Sequence, residues 1–147
     1  MKTLALMLPF LILMIDLKAQ SSDREKDKVR IQLLIEQYSN ARETLDTASL
    51  RRILTLDIDQ LVSSGEWRIG IESSIQGMLR SSTGNPGERT LTVERIRFVQ
   101  SHVAIADARY QIKASSGTVR NMWSTFILLL ENGSWKISAI RNMLPAN

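Results

Sequence analysis

The 147-residue sequence contains no cysteine, and this excludes disulfides. It also excludes a lipid anchor at an export signal, because a lipoprotein needs a cysteine to carry its acyl chains. Histidine is nearly absent. His102 stands alone in an expected turn, so no metal-ligand spacing and no nucleophilic triad can be written. No glycine-rich phosphate loop is present. Gly84 and Gly87 flank Pro86 in a polar stretch that no strand precedes. Charge of one sign is missing too. Asp23, Glu25 and Asp27 alternate with Arg24, Lys26 and Lys28, whereas a nucleic-acid binder would carry a basic stripe. The formal net charge of +4 and pI of 9.8 therefore describe a mixed surface with a slight basic excess.

An apolar run of membrane length is absent as well. The run over residues 4–15 follows Lys2, has no polar face, and is too short to span a bilayer. It suits the core of a secretory signal peptide over residues 1–19. Leu17-Lys18-Ala19 gives the cleavage site and Gln20 the new N-terminus. Cleavage removes Lys2, Lys18 and Asp16 and leaves a formal charge of +3. The expected product is exported, periplasmic or secreted, with no membrane anchor. A polar, loose lead-in over 20–28 precedes one domain over 29–147. That length can bury a core without covalent staples.

Ile31, Leu34, Tyr38, Ala41 and Leu45 recur at steps of three and four, which predicts a helix. Asp46 or Thr47 caps a second, short helix carrying Leu50, Ile53 and Leu54. Ile58, Gln60 and Val62 alternate as a half-buried strand, and Trp67 and Ile69 form a second. Gly70 opens a third helix through Ile71, Ile75, Met78 and Leu79. Residues 81–87 are expected to be loop. Strands follow over 90–99, 103–112, 119–130 and 135–143. The tightest hairpin signal is Glu131-Asn132-Gly133-Ser134. This is an α+β layout, with N-terminal helices packed in a strongly curved antiparallel sheet.

The chain resembles the nuclear-transport-factor-2-like, or SnoaL-like, superfamily of cone-shaped α+β domains. The resemblance covers residues 29–144. It is carried by Tyr38, Asp46, Leu50, Ile53, Leu54, Asp57, Gly70, Ile75 and the closing Asn132-Gly133-Ser134-Trp135-Lys136-Ile137. It implies a bent sheet around a helix, a conical apolar pocket, and frequent dimerisation through the outer sheet face. The apolar run 126–130 fits such a homodimer, with Phe126, Leu128 and Leu130 as its face. The superfamily holds both enzymes and binding proteins, so the fold does not decide the function.

The ketosteroid-isomerase type of chemistry needs a carboxylate base, a tyrosine and a protonated acid. Tyr38 sits where such enzymes keep the tyrosine. No carboxylate stands near 62–64 for the base, and the sequence near Ile127 is apolar where the acid would fall. Asp57 and Asp59 share a strand face, so either could serve as a base if the pocket raised its pKa. The expected ligand pocket is Tyr38, Trp67, Trp123 and Arg141. Alternation puts Arg141 on the face of Trp135 and Ile137, where it must reach the cone mouth or pair with an acid such as Asp59. The leading expectation is an exported binder of a small, partly apolar molecule, without cofactor, metal or nucleic acid. One rival is an isomerase, dehydratase or cyclase using Asp57 or Asp59 with Tyr38 and Arg141. Another is a partner-binding module that works through the sheet face.

N-terminal sequencing of the exported protein is expected to begin at Gln20. A mature form that retains Met1 would overturn the signal-peptide reading.

Overall fold

The computed structural model describes residues 7–145, with side chains from Asp23 onward. The chain divides after Arg30 into two compact units. Helix α1 (Met7–Glu43) begins in the first. Of the expected signal segment, residues 1–6 lie outside the described residues, as do the side chains of 7–22, Ala19 and Gln20 among them. Among the described residues no helix is long and apolar enough to cross a membrane. Residues 20–28, expected to be loose, are helical. Their alternating charges are spaced for helical i,i+3 pairs: Lys26–Asp23 at 3.2 Å, Lys28–Glu25 at 2.7 Å and Arg30–Asp27 at 3.3 Å. Pairs of this kind each add a few tenths of a kcal/mol, roughly, to an exposed helix.

The second unit starts at Ile31 and carries the rest of α1. Then come α2 (Thr47–Ile53), β1 (Leu54–Leu61), β2 (Trp67–Ile69) and α3 (Ile71–Gly84). Strands β3 (Gly87–Gln100), β4 (Val103–Ala114), β5 (Val119–Glu131) and β6 (Ser134–Met143) complete it. Asp46 is the cap of α2: its carboxylate accepts from the Ser49 backbone N–H at 2.9 Å and from the Ser49 hydroxyl at 2.6 Å. Gly70 opens α3 at φ +80°, a conformation that favours glycine. Asn132 and Gly133, both at positive φ, make the two-residue turn between Glu131 and Ser134. Helix α3 runs through Gly84, so residues 81–84 are helix and not loop.

The six strands form one curved, unclosed sheet in the order β2-β1-β6-β5-β4-β3. The α+β class is as expected. The sheet is mixed, however, because β1 lies parallel to β6 while every other pair is antiparallel. Its inner face receives Ile31, Leu34, Ile35, Tyr38 and Ala41 from α1. Facing them, β4 presents only Ala104, Ala106 and Ala108, while β5 presents Phe126 and Leu128. The Tyr38 and Phe126 rings meet edge-to-face at 5.6 Å.

That packing corrects the expected dimer face. Phe126 and Leu128 are fully buried in the core, and Leu130 is partly buried against it. Strand alternation turns Ile127 and Leu129 outward instead, opposite Ile105 and Val103 of β4. Phe126→Ala is expected to cost about 3–5 kcal/mol in a urea titration, as for a large buried aromatic. A loss under about 0.5 kcal/mol, the range of surface changes, would return Phe126 to the outside.

Candidate functional site

Toward one end the inner sheet face changes character. Phe126 of β5 and Ile140 of β6 face each other there, followed by Ser124 with Asn142, then Met122 with Tyr110, then Arg120 with Ile112. Helix α1 ends at Glu43, and Leu45 turns the chain away at φ +56°. A cavity of about 310 Å³ lies between this end of the sheet and the start of the β1–β2 turn. Val62, Ser63 and Ser64 of that turn line it, as do Ser81 and Asn85 at the end of α3.

Four guanidinium groups border the cavity, from Arg42, Arg68, Arg80 and Arg120, against one carboxylate, Glu66. Arg68 is buried and well matched. It donates to Glu66 Oε1 at 3.1 Å and to Gln60 Oε1, its cross-strand neighbour, at 3.2 Å. Its stem crosses Gly77 of α3, where a Cβ would fall 2.3 Å from Arg68 Nε. Glu66 is held below the usual carboxylate range, chiefly by the hydrogen bond from Arg68.

Arg42 is placed differently. It lies in the last turn of α1, one turn beyond Tyr38, and is 5% exposed. Its Nη1 donates to Tyr38 Oη at 3.4 Å and to Tyr110 Oη at 3.3 Å. Its Nε is buried without a hydrogen-bond partner. No carboxylate among the described residues forms an ion pair with it. Burial works against its charge; the negative charge that Tyr38 and Tyr110 carry once ionised in alkaline solution outweighs this and raises its pKa above the ordinary value, whereas the neutral phenols offer only hydrogen bonds.

The residues expected to form a pocket separate in the structure. Tyr38 is buried in the core behind Arg42 and does not line the cavity. Trp67, Trp123 and Arg141 lie on the outer sheet face. Arg141 was expected to share a face with Trp135 and Ile137. A bulge at Ser138, between Ile137 and Ala139, reverses the alternation and sends it outward beside Thr125. There it stacks on Trp67, 4.8 Å from the ring centroid, and bonds Asp59 Oδ1 at 2.7 Å, the acid expected for it. Arg109 stacks on Trp123 at 4.5 Å. Asp57 is exposed, and Asp59 is committed to Arg141 on the outer face, so neither enters the cavity as a base. His102 is exposed in the β3–β4 turn, as expected. Among the described residues no group of metal-ligating side chains converges.

Arg42, Gln60, Arg68, Tyr110 and Arg120 take the place of the expected lining. Two of them carried a signal. Arg42 stands at i+4 from Tyr38 on the buried helical stripe, and Gln60 alternates with Ile58 on the inward face of β1. A charged or amide side chain on an apolar face marks a site.

Tyr38 supplies a pH signature. Burial raises its hydroxyl above the ordinary value of 10.0, and the nearby Arg42 charge offsets only part of this. The folded chain therefore holds that proton more tightly than the unfolded chain. The contribution is fully present below about pH 10 and is lost as pH climbs through the folded value. Melting temperature should fall across the alkaline range more steeply in the wild type than in Tyr38→Phe. Parallel slopes would show that the hydroxyl does not report burial.

No family model and no curated protein matches the sequence. Solved structures do match. A cystatin-like domain of unknown function from Nostoc punctiforme superposes with TM-score 0.73 at 16% identity, over 83% of this chain and 79% of that one. An NTF2-like protein with a cystatin-like fold from Novosphingobium aromaticivorans gives 0.70 at 16%, over 86% of each. An NTF-2-like protein of unknown function from Shewanella oneidensis gives 0.66 at 15%, over 80% and 98%. At these identities the likeness speaks for fold alone, and the chain has the nuclear-transport-factor-2-like, cystatin-like cone fold.

Proposed function

We propose that the protein is a binding domain for a small polar molecule held in the cavity at the open end of the sheet. The observation that carries this is the lining itself. The cavity is at the lower end of the roughly 300–1,000 Å³ usual for ligand sites. Its wall is almost wholly polar, with Val62 and Met122 as the apolar contributors. Polar groups of the wall are held in place, Arg68 by Gln60 and Asn142 by the Ser124 hydroxyl, which donates to it at 2.6 Å, and this keeps the wall preorganised. The partly apolar ligand expected from the sequence gives way to a polar one, because Trp67 and Trp123 face the other side of the sheet.

Binding is favoured over proton-transfer chemistry by the state of Glu66. A general base works best with a pKa near the working pH. Glu66 is shifted away from that range by its pairing with Arg68. Export and a homodimer belong to the same proposal. The dimer face is now the half-exposed row Val103, Ile105, Ile127 and Leu129.

Native mass spectrometry of protein purified from its own source tests these points together. The expected spectrum shows twice the chain mass and a bound small molecule that leaves on activation. Ligand-free protein in repeated preparations, with no thermal response to a panel of small polar molecules, would end the binding reading. A monomer would end the sheet-face dimer alone.

A further inference from the structure

We infer that the ligand carries an oxyanion, a carboxylate or a phosphate, that seats on Arg42. This rests on the ligand-binding reading above and adds the chemistry of the recognised group. Arg42 is a buried cation that borders the cavity with neutral phenols as its only hydrogen-bond partners among the described residues, at 3.3 and 3.4 Å. Only Nη1 is engaged. Nε is buried with no acceptor, and no bond from Nη2 joins the described residues. Nη2, unbonded among the described residues and not buried, is the donor left for an oxygen of a carboxylate or phosphate, and the positive charge shared with Nε adds to the attraction. The phenols suit the same guest. Tyr110 lines the cavity and spends a lone pair on Arg42, which leaves its own O–H for an acceptor. Two donors of different kinds thus border the cavity with no bonded acceptor among the described residues.

The other charges around Arg42 agree. Arg68 is answered by Glu66 and Gln60, and Arg80 lies 3.9 Å from the same Glu66. Arg120 makes no ion pair among the described residues and stands at the rim. The carbonyl end of α1, in whose last turn Arg42 sits, supplies roughly half a negative charge, so the helix compensates only in part. An anion in the cavity would complete the compensation. A neutral polyol would leave it incomplete.

Isothermal titration and thermal shift on the purified chain at constant ionic strength test this. The probes are inorganic phosphate, succinate, glycerol and added chloride. Phosphate or succinate should bind saturably and raise the melting temperature, and whichever is tighter names the oxyanion. Glycerol and chloride should do neither. Arg42→Met should weaken binding roughly tenfold or more, as loss of a charge-assisted pair does. The unliganded variant should melt at or above the wild type, because a buried charge has been removed. Arg120→Gln, on the exposed rim, should keep the wild-type melting temperature and bind the same anion more weakly. Wild-type affinity in both variants would overturn the inference. So would Arg42→Met melting below the wild type together with unchanged affinity in Arg120→Gln. Glycerol binding as well as the anions would overturn it too while leaving the ligand cavity standing. Silence toward all four probes, with a neutral molecule found in the native spectra, separates the two readings in the same way.

Discussion

Taking a guanidinium out of water costs several kcal/mol unless other groups replace its hydration. Arg42 is taken out of water, and much of the second unit bears on how. Its backbone is fixed by the last turn of α1. That helix is held by the Tyr38–Phe126 contact and by apolar residues on the same stripe. The alanines of β4 matter here. Ala104, Ala106 and Ala108 share the core with Tyr38 and Ile35 and, being small, leave volume for those larger side chains. One turn beyond Tyr38, Arg42 reaches Tyr110 of the same strand.

Two of the four arginines at the cavity are buried, and under opposite conditions. Arg68 resembles a structural element: a carboxylate, a carbonyl acceptor and a glycine cradle are all provided. Arg42 has acceptors too weak and too few for its charge. Structures tolerate such imbalance where a ligand relieves it, since preorganised, under-satisfied donors bind anions at little cost in rearrangement. The contrast lies within one wall: Arg68 is paired with Glu66 and Gln60, and Arg42 is not paired with any acid among the described residues.

Much of the fold was legible in the sequence, for local reasons. The Asp46 cap, the Gly70 helix start and the Asn132-Gly133 turn each act within a few residues. The Asp59–Arg141 pair was legible because an arginine among apolar neighbours needs an acid. The face on which that pair sits was not legible. One extra residue at Ser138 inverts the alternation, and a bulge leaves no mark on a pattern read two residues at a time. The same inversion carried Arg141 and Trp67 out of the expected pocket. Arg42 was passed over because Leu45 continues the three-and-four rhythm of the helix, whereas the helix ends first and Leu45 turns into solvent.

The outer face then explains where the tryptophans went. Trp67 is half exposed, yet the Arg141 guanidinium covers its ring, and Arg109 does the same for Trp123 while bonding Glu94 at 2.6 Å. Each arginine sets its guanidinium over an aromatic face and gives a donor to an acid. Large aromatic side chains can therefore stand on a wet sheet face without a deep pocket beneath them. This frees the inner face at the open end for smaller polar groups. An aromatic-poor chain that uses two of its three tryptophans outside has none to spare for an apolar cone: the third, Trp135, is buried against Phe98 in the core. The polarity of the cavity follows from that distribution as much as from the arginines that line it.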